Sequence, residues 1–320
     1  MGETSANSVI LCPGQGAQAP GMGREWAEAS PAAAAVFEEA DRRLGDSLGA
    51  PLSAICFDGP AERLDRTDVS QPAIYTCSVA CHRALEAEAG GSIAIRATAG
   101  LSLGEYTALH LAGVFDFAQG LDLVATRGRL MQAAAEASAG GMVALIGAEE
   151  DQAEAVCRRV TEDDGELLVP ANFNAPGQIV LSGSAAGCER AVARAEEQGL
   201  RATALRVAGA FHSPLMRPAA EKMADALASA PFQPPNIEVW SNVTAAPHDS
   251  ADMELLKDRL VQQVISPVRW AQTCRALAGD DTIAVIAWHE LAPGAVLRGL
   301  MRRIDKRIRV TSHDTPRIEA

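Results

Sequence analysis

The chain is short of positive charge and of long apolar runs. Its 320 residues hold 28 Lys and Arg against 41 Asp and Glu, a formal net charge of −13 at neutral pH. A chain so poor in cations is badly suited to the phosphate backbone, so general nucleic-acid binding is not expected. No apolar stretch approaches the roughly 18 residues that a membrane span needs. The opening segment, MGETSANSVILCPGQ, has neither a basic leader nor a long apolar core, so no secretory signal is expected. Cysteines at CxxC spacing are missing too. Cys12, Cys56, Cys77, Cys81, Cys157, Cys188 and Cys274 are odd in number and widely spaced. That pattern implies buried free thiols in a reducing cytoplasm, with no disulfide framework and no metal site.

What is present is 48% apolar and 22% charged residues, enough to bury a sizeable core. The length suits one large α/β domain or two unequal ones. Ser8–Cys12 reads as a strand entering the glycine-rich loop Gly14-Gln15-Gly16-Ala17-Gln18. Helices are expected over Met22–Ala29, Pro31–Leu44 and Pro72–Glu88, the last with Ser70 near its N-cap. A strand over Ser92–Ala99 meets a helix that starts at Leu103, and Asp116 caps a helix running to about Ala137.

Residues 138–207 follow another order. Strands are expected over Gly141–Gly147, Glu166–Ala171, Gln178–Ser182 and Leu200–Val207, with helices over Glu149–Val160 and Ala185–Gln198. Asn172 to Gly177 reads as the turn between the middle strands. The order βαββαβ is the ferredoxin-like signature. Beyond it, helices over Met216–Ala230, Asp252–Ile265 and Pro293–Arg303 alternate with strands over Ile237–Asn242, Thr282–Trp288 and Arg307–Thr311. The fold class is therefore α/β. One layered domain with a mostly parallel sheet, residues 1–137 and 208–320, is interrupted by a small subdomain, 138–207.

Gly100-Leu101-Ser102-Leu103-Gly104 has GxSxG spacing directly after a strand and before a helix. That context places a serine on a sharp turn and offers the Leu103 N–H, at a helix start, to an oxyanion. A serine nucleophile needs a base. His212, after the last strand of the insert, is favoured by position, and His289 remains a competitor. The loop around Gln15 can supply a second amide, with phosphate cradling as its rival reading, although the Lys-Ser/Thr ending of a P-loop is missing. Arg127 lies one turn from Met131 in a largely apolar helix. It is either a snorkelling arginine or a clamp for a substrate carboxylate.

PGQGAQ, SLGEY, TRGRLMQ, NFNAPGQ, FHSPLM, SPVRW and LAPGAVL occur in this order over about residues 8–305. Together they resemble the malonyl-CoA:acyl carrier protein transacylase family, which includes the acyltransferase domains of fatty acid and polyketide synthases. The resemblance implies a hydrolase-like three-layer α/β domain with a ferredoxin-like insert. It implies Ser102 as nucleophile, His212 as base, the Gln15 and Leu103 amides as oxyanion hole, and Arg127 on the malonyl carboxylate. The Gln263 backbone carbonyl would orient His212, making a dyad where a triad is usual. Asn172 and Asn174 would reach the site, and Phe211 would crowd a methyl-branched acyl group. Malonyl-CoA and holo acyl carrier protein are the implied substrates, with no bound cofactor, and a monomer is the family's common form. An acyl hydrolase or a discrete polyketide-type acyltransferase of the same family is the alternative. The acidic carrier protein would dock on a local basic patch: Arg298, Arg302, Arg303, Lys306, Arg307 and Arg309, with Arg201 and Arg206 at the edge of the insert. One departure stands beside the nucleophile: Leu101 occupies the place where the family usually has a histidine.

Overall fold

Short β-branched and alanine-rich runs, buried on both faces, build a parallel sheet. In the computed structural model, which describes residues 7–284 and 286–316, its strands are β1 (Ser8–Cys12), β2 (Ile95–Gly100), β7 (Glu238–Trp240), β8 (Ala287–Leu291) and β9 (Val310–His313). Their order is β7-β2-β1-β8-β9, and every neighbouring pair is parallel. All five residues of β1 are buried, as a central strand covered by helices on both faces must be. The register pairs Cys12 with Gly100, so the loops leaving β1 and β2 emerge side by side at the carboxyl edge, where sites form in open α/β sheets.

Four more strands make a second, antiparallel sheet: β3 (Gly140–Ile146), β4 (Leu168–Ala175), β5 (Gln178–Ser184) and β6 (Arg201–Ala204), in the order β4-β5-β3-β6. The helices Glu150–Asp163 and Ala185–Glu197 cover it and close a separate apolar cluster around Val143, Val156, Phe173 and Leu181. Val268, between the helices Met253–Ile265 and Trp270–Gly279, pairs with β4: its N–H donates to Ala171 O at 2.8 Å and its carbonyl accepts from Phe173 N at 3.0 Å.

Two long helices, Thr67–Glu88 and Phe117–Ala137, pack against each other within the largest apolar cluster. A Cβ on Gly128 would lie 2.6 Å from Thr67 O, so only glycine permits this approach. Asp116 caps the second helix as expected, accepting from Gln119 N at 2.8 Å while Gln119 reaches back to Asp116 N.

Several boundaries differ from the sequence reading. The first long helix begins at Thr67, not near Ser70, and Pro72 lies inside it. Its free end is held from afar, since Gln132 Oε1 accepts from Thr67 N at 3.0 Å. β4 extends through Asn172 and Asn174 because β5 and Val268 both pair with it, leaving Pro176-Gly177 as the turn. β6 stops at Ala204. The segment expected as a strand over Thr282–Trp288 holds a short helix, Asp281–Ala284, before β8, whose register against β1 pairs Val9 with Trp288. The seven cysteines are buried and free.

Candidate active site

The turn after β2 is built around a strained serine. Ser102 has φ +53°, a left-handed conformation that a non-glycine residue adopts only where its surroundings enforce it. A Cβ on Gly104 would fall 2.1 Å from Cys12 O, so the helix Gly104–Leu111 can start this close to β1 only with glycine there. Asn242, just after β7, clamps the turn. Its Oδ1 accepts from Ser102 N at 2.6 Å and its Nδ2 donates to Gly100 O at 2.7 Å.

His212 also has a left-handed backbone, φ +56°. Its Nε2 lies 2.9 Å from Ser102 Oγ. Its Nδ1 lies 2.8 Å from the Gln263 carbonyl, which can only accept, so Nδ1 carries the proton and the Nε2 lone pair faces the serine. Burial, reinforced by the charge of Arg127, pulls the imidazole down to about 4. His212 is therefore neutral at pH 7 and able to accept a proton. The competing histidine, His289, lies within β8. Its Nδ1 is 2.9 Å from His313 Nε2 on β9, and it does not border the cavity at Ser102.

Arg127 projects from the helix Phe117–Ala137 and is 1% exposed. Its Nη2 donates to Ser102 Oγ at 3.1 Å and to Gln263 Oε1 at 2.8 Å, and its Nη1 donates to Gln71 Oε1 at 2.7 Å. The guanidinium stands 5.6 Å from the ring centre of Tyr106. No carboxylate forms an ion pair with it among the described residues. Burial lowers its pKa from the usual arginine value, but an arginine keeps its proton under such pressure.

Behind these groups lies a buried polar network. Glu105 accepts from His248 Nε2 at 2.7 Å, from Gln263 Nε2 at 2.6 Å and from Asn242 N at 3.2 Å. Gln263 Nε2 also donates to Ser102 O at 2.9 Å. The elbow, the base and the arginine are thus tied to one another through Gln263.

In front of them opens a cavity of about 480 Å³ between the two sheets. Gln15, Leu103, Met131, Phe211, Asn172 and Asn174 all line it, together with Ser102, His212 and Arg127. The N–H groups of Gln15 and Leu103 meet no acceptor among the described residues. Gln263 does not line the cavity. It is 1% exposed and acts from behind, on His212 and Arg127. Leu101 is half-buried on the cavity wall and packs against the apolar cluster of Trp240, Trp270 and Leu297.

Sequence reasoning missed Gln71, Glu105, Asn242 and His248. Gln71 and Glu105 carried a faint signal, as polar side chains at core positions of apolar helices. Asn242 and His248 carried none, because their partners lie about 140 residues away.

The acyl transferase domain family matches residues 9–311. The malonyl CoA-acyl carrier protein transacylase of Bacillus subtilis (strain 168) is 40% identical over 310 residues, 96% of this chain and 93% of that protein. The solved malonyl-CoA:acyl carrier protein transacylase of Xanthomonas oryzae superposes with a TM-score of 0.89 at 40% identity, covering 99% of this chain and 96% of that one. A malonyl-transacylase solved in complex with its type II PKS acyl-carrier protein gives a TM-score of 0.89 at 36% identity, covering 97% of both chains. With its parallel α/β sheet, its serine elbow and this match over nearly all its length, the chain belongs to the acyl transferase domain family.

Proposed function

We propose that this protein transfers the malonyl group of malonyl-CoA to the phosphopantetheine thiol of acyl carrier protein through a Ser102 ester. It is an acyltransferase, and one observation carries the choice of acyl group. A buried guanidinium with no anionic partner among the described residues stands 3.1 Å from Ser102 Oγ. Such a cation favours an acyl chain that ends in a carboxylate.

In the first half-reaction the malonyl carboxylate lies against Arg127. Ser102 Oγ attacks the thioester carbonyl carbon while its proton passes to His212 Nε2. The Gln15 and Leu103 amides hold the oxyanion. The C–S bond then breaks, and the leaving CoA sulfur takes the proton from His212. In the second half the carrier thiol gives its proton to His212 and its sulfur attacks the ester carbonyl, and Ser102 recovers the proton as the C–O bond breaks. Electrons balance with no oxidant or reductant, so the reaction asks for no bound cofactor. Phe211, buried on the cavity wall, disfavours a methyl branch beside the carbonyl.

The same reading divides the chain into a hydrolase-like three-layer domain, residues 1–137 and 208–320, and a ferredoxin-like insert, residues 138–207. The order β4-β5-β3-β6 with two covering helices supports the second assignment. The carrier protein docks on the basic side of the helix Val296–Ile304, where Arg298, Arg302 and Arg303 are exposed. The enzyme works as a cytoplasmic monomer.

Intact-protein mass spectrometry tests the proposal. Brief mixing with malonyl-CoA should add one malonyl group to the chain and none to Ser102→Ala, and holo carrier protein should then remove it. An adduct that decays to free malonate whether or not carrier is present would make the protein a hydrolase.

A further inference from the structure

The positive charge of Arg127 is held by neutral partners. Gln71 Oε1 accepts from Nη1 at 2.7 Å, and Gln263 Oε1 accepts from Nη2 at 2.8 Å. Gln71 lies in the second turn of the helix Thr67–Glu88 and is 1% exposed. Its amide nitrogen faces Met131 Sδ at 3.5 Å, which leaves its oxygen for the guanidinium. Behind Gln263 lies an acid, Glu105. Its two oxygens are taken by His248, Asn242 and Gln263. The Gln263 amide stands between acid and arginine, turning its nitrogen to one and its oxygen to the other. Glutamine is the same shape as glutamate. In this position the two differ by whether the arginine meets its counter-charge before a substrate arrives.

We propose that Gln71 determines acyl specificity: as a neutral acceptor it orients the Arg127 guanidinium without cancelling its charge, and so reserves that charge for acyl groups bearing a free carboxylate. The inference rests on the reading of Arg127 as the malonyl clamp. Gln71 is a positioning residue, acting through Arg127 and not lining the cavity. A carboxylate at position 71 would pair with Nη1 and repel the incoming malonyl group, whereas an acetyl group carries no charge to repel.

Rapid-quench measurement of Ser102 acylation by malonyl-CoA and by acetyl-CoA tests this in the wild type, Gln71→Glu and Gln71→Met. A wild-type chain that prefers acetyl-CoA would remove both the inference and the reading beneath it. With a malonyl-selective wild type, Q71E is expected to lower the malonyl-to-acetyl rate ratio at least ~100-fold, the scale of a close charge pair. Q71M keeps the charge but loses one orienting bond, and its ratio should fall only ~10-fold. An unchanged ratio in Q71E would overturn the role of Gln71 while leaving the transacylase reading intact. Should Q71E fail to fold, Q71M decides: equal losses with both donors would mean that Gln71 serves structure alone.

Discussion

A histidine that must take a proton from serine is useful only while neutral, and the surroundings of His212 decide where that range ends. Burial and the nearby Arg127 charge both disfavour imidazolium and hold it down to about 4. A base with a lowered pKa stays deprotonated further into acid. Acylation of Ser102 by malonyl-CoA should therefore be flat from pH 8 to about 6 and fall only as pH approaches about 4. Single-turnover acylation across this range checks it, and a midpoint near 6.5 would mean that water reaches the imidazole. At this scale the meeting of Ser102, His212 and Arg127 was legible in sequence, because each is a residue type whose chemistry is nameable within a short motif. Gln71 and Asn242 were not. An amide gains its meaning from the two groups it touches, and those come from other elements.

Elements carry the site only if their ends are held. The helix Val296–Ile304 brings Val296 and Leu300 to the cavity wall, yet its N-cap residue Ala295 offers no side-chain acceptor. Glu290, buried at the end of β8, supplies both acceptors instead, taking Leu297 N at 2.7 Å and Arg298 N at 2.9 Å. Glu290→Ala should cost about 1–3 kcal/mol of stability through the two orphaned N–H groups. Urea unfolding would measure it, and a loss within 0.5 kcal/mol, the range of a surface substitution, would mean that water replaces the carboxylate. The same feature explains which elements the sequence concealed. Asp116 caps its own helix through a neighbour three residues on, and that boundary was readable. The helix Thr67–Glu88 is capped by Gln132, and β4 is prolonged by Val268, so both extend past their local signals. The βαββαβ order survived these shifts because it depends on the succession of elements and not on their ends.

For the whole molecule, the proposed docking brings an acidic enzyme to a carrier protein expected to be acidic too. A net charge of −13 opposes approach at long range, but beyond about 8 Å at physiological ionic strength that repulsion is largely screened. Docking is then decided by the charges that come into contact. On the proposed face, Arg303 is already committed: it donates to Pro176 O and Gln178 Oε1 and so ties its helix to the β4–β5 turn. Arg307 is paired with Asp305. Arg302 is exposed, enters no ion pair among the described residues and does not line the cavity, so it can meet a partner without loss elsewhere. Arg302→Glu should raise KM for holo carrier protein by roughly 3- to 10-fold, as reversing a rim charge does. Because Arg302 does not line the cavity at Ser102, the rate of malonyl-enzyme formation should not change. Ping-pong kinetics separate the two half-reactions, so one variant reads both quantities. A carrier KM equal to that of the wild type would move docking off this helix and toward the β6 edge, where Arg201 and Arg206 are exposed. A slowed first half-reaction would mean instead that the helix governs the cavity and not the surface.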